Sequence, residues 1–172
     1  MKALFVAIAL ALLPGMCLPQ IAAIHCDGDP VVSAESPLSS PIELLTQEGK
    51  PARLSEFRGT PLIINFWATW CPPCRRELPW FAAIQSKYGS KGLRVVGISM
   101  DEKDDPAVRE LASQAGVNYT LLFGSLESSL ELIGAQGLPI TLYLDRSGKI
   151  LHKSVGIANQ QELERNAQEI LR

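Results

Sequence analysis

The stretch Leu62-Ile63-Ile64-Asn65-Phe66-Trp67-Ala68-Thr69-Trp70-Cys71-Pro72-Pro73-Cys74 joins an apolar run, broken only at Asn65, to a pair of cysteines two residues apart. A short run that is apolar at odd and even positions alike predicts a central strand covered on both faces. The strand leads straight into the dithiol, with Cys71 at its end and Cys74 in the first turn of the helix that follows. Pro72 and Pro73 stiffen that turn and remove two hydrogen-bond donors.

Working outward, residues 75–87 carry Leu78, Phe81, Ala82 and Ile84, with Tyr88 beyond them, at near-helical spacing. Pro79 inside this helix is expected to kink it without ending it. Residues 93–100 form a second buried strand. An amphipathic helix is expected over 105–115, with Pro106 in its first turn and Gly116 as its stop. A short strand at 119–123 and a helix at 125–133 ending at Gly134 follow. Strands at 140–145 and 150–155 are joined by the turn Arg146-Ser147-Gly148-Lys149, and a helix over 160–171 closes the chain. Upstream, 42–45 and 52–54 flank the turn-like Gln47-Glu48-Gly49-Lys50 and predict a hairpin, followed by one helical turn at 55–59. The alternation implies an α/β fold: a central mixed β-sheet flanked by helices, with an N-terminal β-hairpin and a central helix-strand insertion.

Of the 172 residues, 47% are hydrophobic and 20% charged, an ordinary globular composition that supports one domain with appendages. A net charge of −2 gives no field to gather phosphates or anionic lipids, which argues against a nucleic-acid partner. Met1-Lys2 followed by apolar residues 3–13 and Pro14-Gly15 has the form of a secretory signal. The run is shorter than the roughly 20 residues a spanning helix needs and falls within the about 7–15 of a signal's apolar core. Cleavage near Ile21-Ala22-Ala23 makes 1–23 a signal peptide, 24–40 a Pro- and Ser-rich linker and 41–172 the domain. Met16-Cys17-Leu18 prolongs the apolar character, so the alternative is an uncleaved N-terminal anchor. Lipid attachment at Cys17 would want a small residue before it, and Met16 is not one. Signal and anchor alike predict a periplasmic or otherwise extracytoplasmic domain, where disulfides are chemically available.

Four cysteines do not make a disulfide framework here, because Cys17 lies in the signal and Cys26 in the linker, where it reads as an incidental unpaired thiol. Zinc wants about four ligands, and beyond the cysteines only His25 and His152 are available. A structural disulfide between residues so close closes a very short loop and stabilises little. Redox chemistry suits the geometry better: a sulfur at a strand end meets the unpaired N–H groups and positive end of the next helix, which favour its thiolate. Such thiols fall from about 8.5 into the range of about 3.5–7.5. Cys71 is therefore the expected attacker and Cys74 the resolver that frees the partner.

The segment from Asn65 to Pro79, with its aromatic lead-in, CxxC and helix proline, together with Gly137-Leu138-Pro139-Ile140-Thr141, resembles thioredoxin-like proteins. The similarity is to the TlpA, ResA and cytochrome c maturation branch, and it runs from about residue 40 to the C-terminus. The resemblance implies a thioredoxin-like fold in which Pro139 is cis and faces the CxxC. Leu138 and Pro139 would then line a groove where an extended partner segment pairs with backbone, with Trp70 and Pro72 as further substrate-binding residues. It implies a monomeric protein-disulfide reductase fed by a membrane thiol electron donor, with clients that include apocytochrome c. No cofactor beyond the redox-active pair, and no metal, is implied.

Thioredoxin has a buried aspartate where this chain has Asn65, which cannot titrate, so another proton carrier is needed. Glu77 matches a glutamate near the active site of ResA-like members and is the expected catalytic carboxylate. The alternative is a solvated first-turn acid, favoured by the helix dipole alone. Trp67 reads as core, and Trp70 as a shield for the sulfur or a partner contact. Arg75 and Arg76 favour the thiolate or simply face solvent, and His152 reads as structural. Two other functions stay open. A peroxiredoxin-like peroxidase would want Thr three residues before its cysteine, whereas Thr69 stands two before Cys71. A non-enzymatic metal-binding or copper-delivery module would use the same CxxC.

Overall fold

The computed structural model describes residues 36–103, 105–125, 134 and 137–172. Strands β1 (Leu44–Thr46) and β2 (Pro51–Ala52) form the expected antiparallel hairpin. The decisive apolar run is β3 (Leu62–Trp67), buried at every position. It pairs in parallel with β4 (Arg94–Ser99) and antiparallel with β6 (Ile140–Leu144). Strand β5 (Thr120–Phe123) lies parallel to β4, and β7 (Ile150–Val155) antiparallel to β6. The hairpin joins the sheet through β1 against β5, so the order is β2-β1-β5-β4-β3-β6-β7.

The helices are α1 (Pro72–Tyr88), α2 (Pro106–Gln114) and α3 (Gln160–Ile170). Ile63, Val95 and Tyr143 pack with Phe81, Ile84 and Tyr88 of α1 and with Leu163, Ala167 and Ile170 of α3. Leu62, Ile64, Val96, Ile98 and Leu142 belong to a second cluster with Val108 and Ala112 of α2. Apolar cover on both faces explains why β3 shows no alternation. Helix α1 starts at Pro72, earlier than its apolar period, because prolines fit the first helical positions, where N–H groups have no intrahelical partner. Pro79 lies inside α1 without ending it.

The expected boundary at residue 41 is corrected by the structure. Leu38 is only 2% exposed and belongs to the core cluster. The Ser36 hydroxyl donates to the Gly148 carbonyl at 2.6 Å, and Arg58 Nη2 donates to the Leu38 carbonyl at 3.1 Å. Folded structure thus includes 36–40, which the Pro- and Ser-rich composition disguised as linker because one lone leucine makes no periodic pattern. Leu38→Ala should lower unfolding free energy by about 2 kcal/mol, measured by urea titration. The expected signal or anchor over 1–23, linker residues 24–35, Cys17, His25, Cys26 and expected helical residues 126–133 lie outside the described residues.

Candidate active site

Cys71 caps α1: its side chain accepts the Cys74 N–H at 3.3 Å, and its carbonyl accepts the Arg75 N–H at 3.2 Å. Pro72 and Pro73 have no N–H to offer, so the first donor of the helix is the one aimed at the Cys71 sulfur. The two cysteines are joined by a disulfide with Cα atoms 5.3 Å apart. Cys71 keeps 5% exposure and Cys74 none, so a partner sulfur can approach only the first.

Antiparallel pairing brings the start of β6 to the end of β3, with Ile140 opposite Phe66. The residue before Ile140 is Pro139, buried, and its bond to the half-buried Leu138 is cis. The Pro139 carbonyl accepts the Gly156 N–H at 2.8 Å, which draws the end of β7 alongside. Exposed Val155 and Ile157 flank that contact, and Trp70, 61% exposed, lies next to Cys71 in the chain. Pro72 is exposed on the first turn of α1. Val155 and Ile157 are exposed apolar residues at and just past the end of β7, which pairs with β6 next to β3, and no sequence motif marks them.

Glu77 is 0% exposed, which removes the solvated-face alternative. It lies on the inward stripe of α1 with Cys74, Leu78 and Phe81. One carboxylate oxygen accepts the Ala158 N–H at 2.6 Å, while the other has no hydrogen-bond partner among the described residues. Burial pushes its pKa up to about 7, opposed by the Ala158 hydrogen bond and the Arg76 charge. Asn65 is also buried; its amide donates to the Thr141 hydroxyl at 3.2 Å across the β3-β6 pair. Trp67 is fully buried, as expected of a core residue. Arg75 and Arg76 are exposed. His152 contacts Glu169 at 2.9 Å and meets the Tyr143 ring edge to face, a role within β7 and α3.

Beside the disulfide, Thr69, Trp70 and Arg75 form a shallow cleft with Ala107, Glu110 and Leu111 of α2. A larger cleft of about 630 Å³, lined by hairpin and 38–45 residues, shares no residue with the dithiol site. Among the described residues no three or more His, Cys, Asp or Glu side chains group as metal ligands would.

The redoxin family profile matches residues 15–171. The chain belongs to the redoxin family. Within that family it is 30% identical over 117 residues to the thiol-disulfide oxidoreductase ResA of Bacillus thuringiensis, an alignment that covers 68% of this chain and 67% of the relative. A thiol:disulfide interchange protein of the thioredoxin family from Chlorobium tepidum superposes with a TM-score of 0.67 at 28% identity, over 81% of this redoxin and 99% of that chain. A secreted disulfide oxidoreductase of Mycobacterium tuberculosis, homologous to E. coli DsbE, shares the fold with a TM-score of 0.64 at 21% identity, over 74% of this chain and 94% of that one. The redoxin is a ResA/TlpA-like thiol-disulfide oxidoreductase, and its mixed sheet flanked by helices is thioredoxin-like.

Proposed function

We propose that this redoxin is an extracytoplasmic reductase of protein disulfides, acting as a monomer through Cys71 and Cys74. The observation that carries the reading is the asymmetry of the pair: Cys71 keeps 5% exposure and Cys74 none, and the Cys71 sulfur takes the first N–H of α1. The Cys71 thiolate attacks a client disulfide, forming a mixed disulfide and releasing one client thiolate. Cys74 gives its proton to ionised Glu77 and attacks the Cys71 sulfur, releasing the second client thiolate. The client gains two electrons, its two thiolates take up one proton from Glu77 and one from solvent, and the redoxin is left with the Cys71-Cys74 disulfide and an ionised Glu77. The electron pair resides on the two sulfurs alone, without a cofactor, and a membrane thiol donor restores the dithiol. Apocytochrome c, which must carry reduced cysteines to accept haem, is a client of the right chemistry.

Exposed Trp70 and Pro72 on either side of Cys71, with half-buried Leu138 and cis Pro139 leading into β6 alongside β3, support an extended polypeptide as the substrate. Trp70→Ala should raise KM for a protein disulfide by about tenfold, the cost of losing one aromatic anchor. Its rate toward a small aromatic disulfide should stay nearly constant. The peroxidase alternative wants a threonine three residues before its cysteine, whereas Thr69 stands two before Cys71 and its hydroxyl donates to Asp101 at 2.7 Å. Insulin reduction in the presence of dithiothreitol tests the proposal: acceleration at catalytic redoxin concentrations is expected, and no acceleration, with stoichiometric copper binding instead, would favour the metal-delivery module.

A further inference from the structure

The parallel ladder of β3 and β4 ends at the pair Trp67 and Ser99, with a last bond from the Met100 N–H to the Trp67 carbonyl at 2.9 Å. The next donor along β3 is the Thr69 N–H, and a continued ladder would give it a backbone carbonyl. It finds the Asp101 carboxylate instead, at 2.9 Å from Oδ2 and 3.2 Å from Oδ1. The Thr69 hydroxyl donates to Oδ1 at 2.7 Å, and the Ser99 hydroxyl donates to Oδ2 at 2.7 Å. Asp101 is only 8% exposed, so its oxygens are committed to these protein donors rather than to solvent. Two residues beyond Thr69, the Cys71 N–H donates to the Ala68 carbonyl at 3.2 Å. Thr69 is thus the anchored point of the turn that carries Trp70 and Cys71.

We propose that Asp101 is a positioning residue for thiol-disulfide exchange, holding Thr69 so that the Cys71 sulfur stays over the Cys74 N–H when the disulfide opens. The inference rests on Cys71 being the attacking sulfur. While the disulfide is closed, the covalent bond fixes that sulfur near the helix end. Once it is reduced, only the backbone of the 68–71 turn keeps it there, and the turn's tie to β4 beyond Met100 is a side chain. A thiolate displaced from its donor loses the stabilisation that makes it nucleophilic at neutral pH. The negative charge of Asp101 acts in the opposite sense, because a nearby carboxylate disfavours a thiolate. Positioning and charge therefore predict opposite effects of removing it.

Asp101→Ala, Asp101→Asn and Thr69→Val in the full chain, reduced before assay, test the assignment. The readout is the pH profile of alkylation at each cysteine, located by mass spectrometry, alongside thermal unfolding. Asp101→Ala should move the Cys71 midpoint upward, toward the ordinary value of about 8.5, and slow alkylation at pH 7 by roughly tenfold. Asp101→Asn keeps an acceptor for the Thr69 N–H and should not raise the midpoint. Thr69→Val removes one hydroxyl bond and should shift it up by a smaller amount. A midpoint that falls or stays in Asp101→Ala, or rises equally in Asp101→Asn, overturns the proposal. Should Asp101→Ala not fold, a Thr69→Val profile superimposed on that of the unmodified protein does the same. Faster alkylation of Cys74 than of Cys71 in the unmodified protein would instead overturn the assignment of the attacker.

Discussion

Cys74→Ser is expected to abolish turnover, by about three orders of magnitude or more, while leaving client proteins attached to Cys71. The first half-reaction needs only the Cys71 thiolate, whose helix donor at Cys74 is a backbone N–H that serine also supplies. The second half-reaction needs a sulfur at residue 74, and a serine hydroxyl cannot displace a thiolate at neutral pH. Mixed disulfides should accumulate and appear as higher-mass bands in non-reducing electrophoresis that collapse with dithiothreitol. Cys71→Ser should lose turnover equally and trap nothing, because Cys74 is fully buried beneath the first sulfur. Adducts held by Cys71→Ser rather than by Cys74→Ser would reverse the assigned roles.

Glu77→Gln should make the protein more stable and slower at once. With its pKa pushed up to about 7 by burial, folded Glu77 keeps a proton that the unfolded chain has already lost. Stability from this group therefore falls as pH rises from about 4.5 to about 7, and the full penalty, about 3 kcal/mol, applies above that range. Glutamine still accepts the Ala158 N–H and never ionises. Urea titrations should give nearly equal stabilities for the two proteins at pH 4.5, and the variant should gain up to about 3 kcal/mol at pH 8. Parallel stability-pH curves would contradict the buried-acid account. The same substitution removes the base proposed for Cys74. Release from the mixed disulfide, followed in single turnover, should slow by about a hundredfold at pH 8, with its rise through pH 7 lost. Ordinary structural damage would not pair greater stability with slower release.

The sequence left Glu77 open between an active-site carboxylate and a solvated first-turn acid, and only the fold, which buries it, decides between them. Its partner was not legible either: the Ala158 N–H comes from a loop 81 residues away, and no side-chain pattern marks a backbone donor. Residues 62–74 announced a buried strand and its dithiol because local periodicity and cysteine spacing are local facts. Placement of β5 between β4 and the hairpin depends on long-range pairing, which periodicity does not encode. Asp101 opens the charged run Asp101-Glu102-Lys103-Asp104-Asp105 and looks like a solvated turn. It is buried because β4 ends just before it, beside the end of β3. Leu38 was hidden in the same way, its anchoring contacts lying with Arg58 and the Gly148 turn.

The direction of electron flow is the centre of the account, and the reduction potential of the Cys71-Cys74 pair measures it directly. Equilibration of the full chain with dithiothreitol or glutathione redox buffers, quenched by alkylation and read by mass, gives the value. A reductase should lie near thioredoxin, at about −270 mV, whereas a value near −120 mV would make the protein an oxidant and contradict the account.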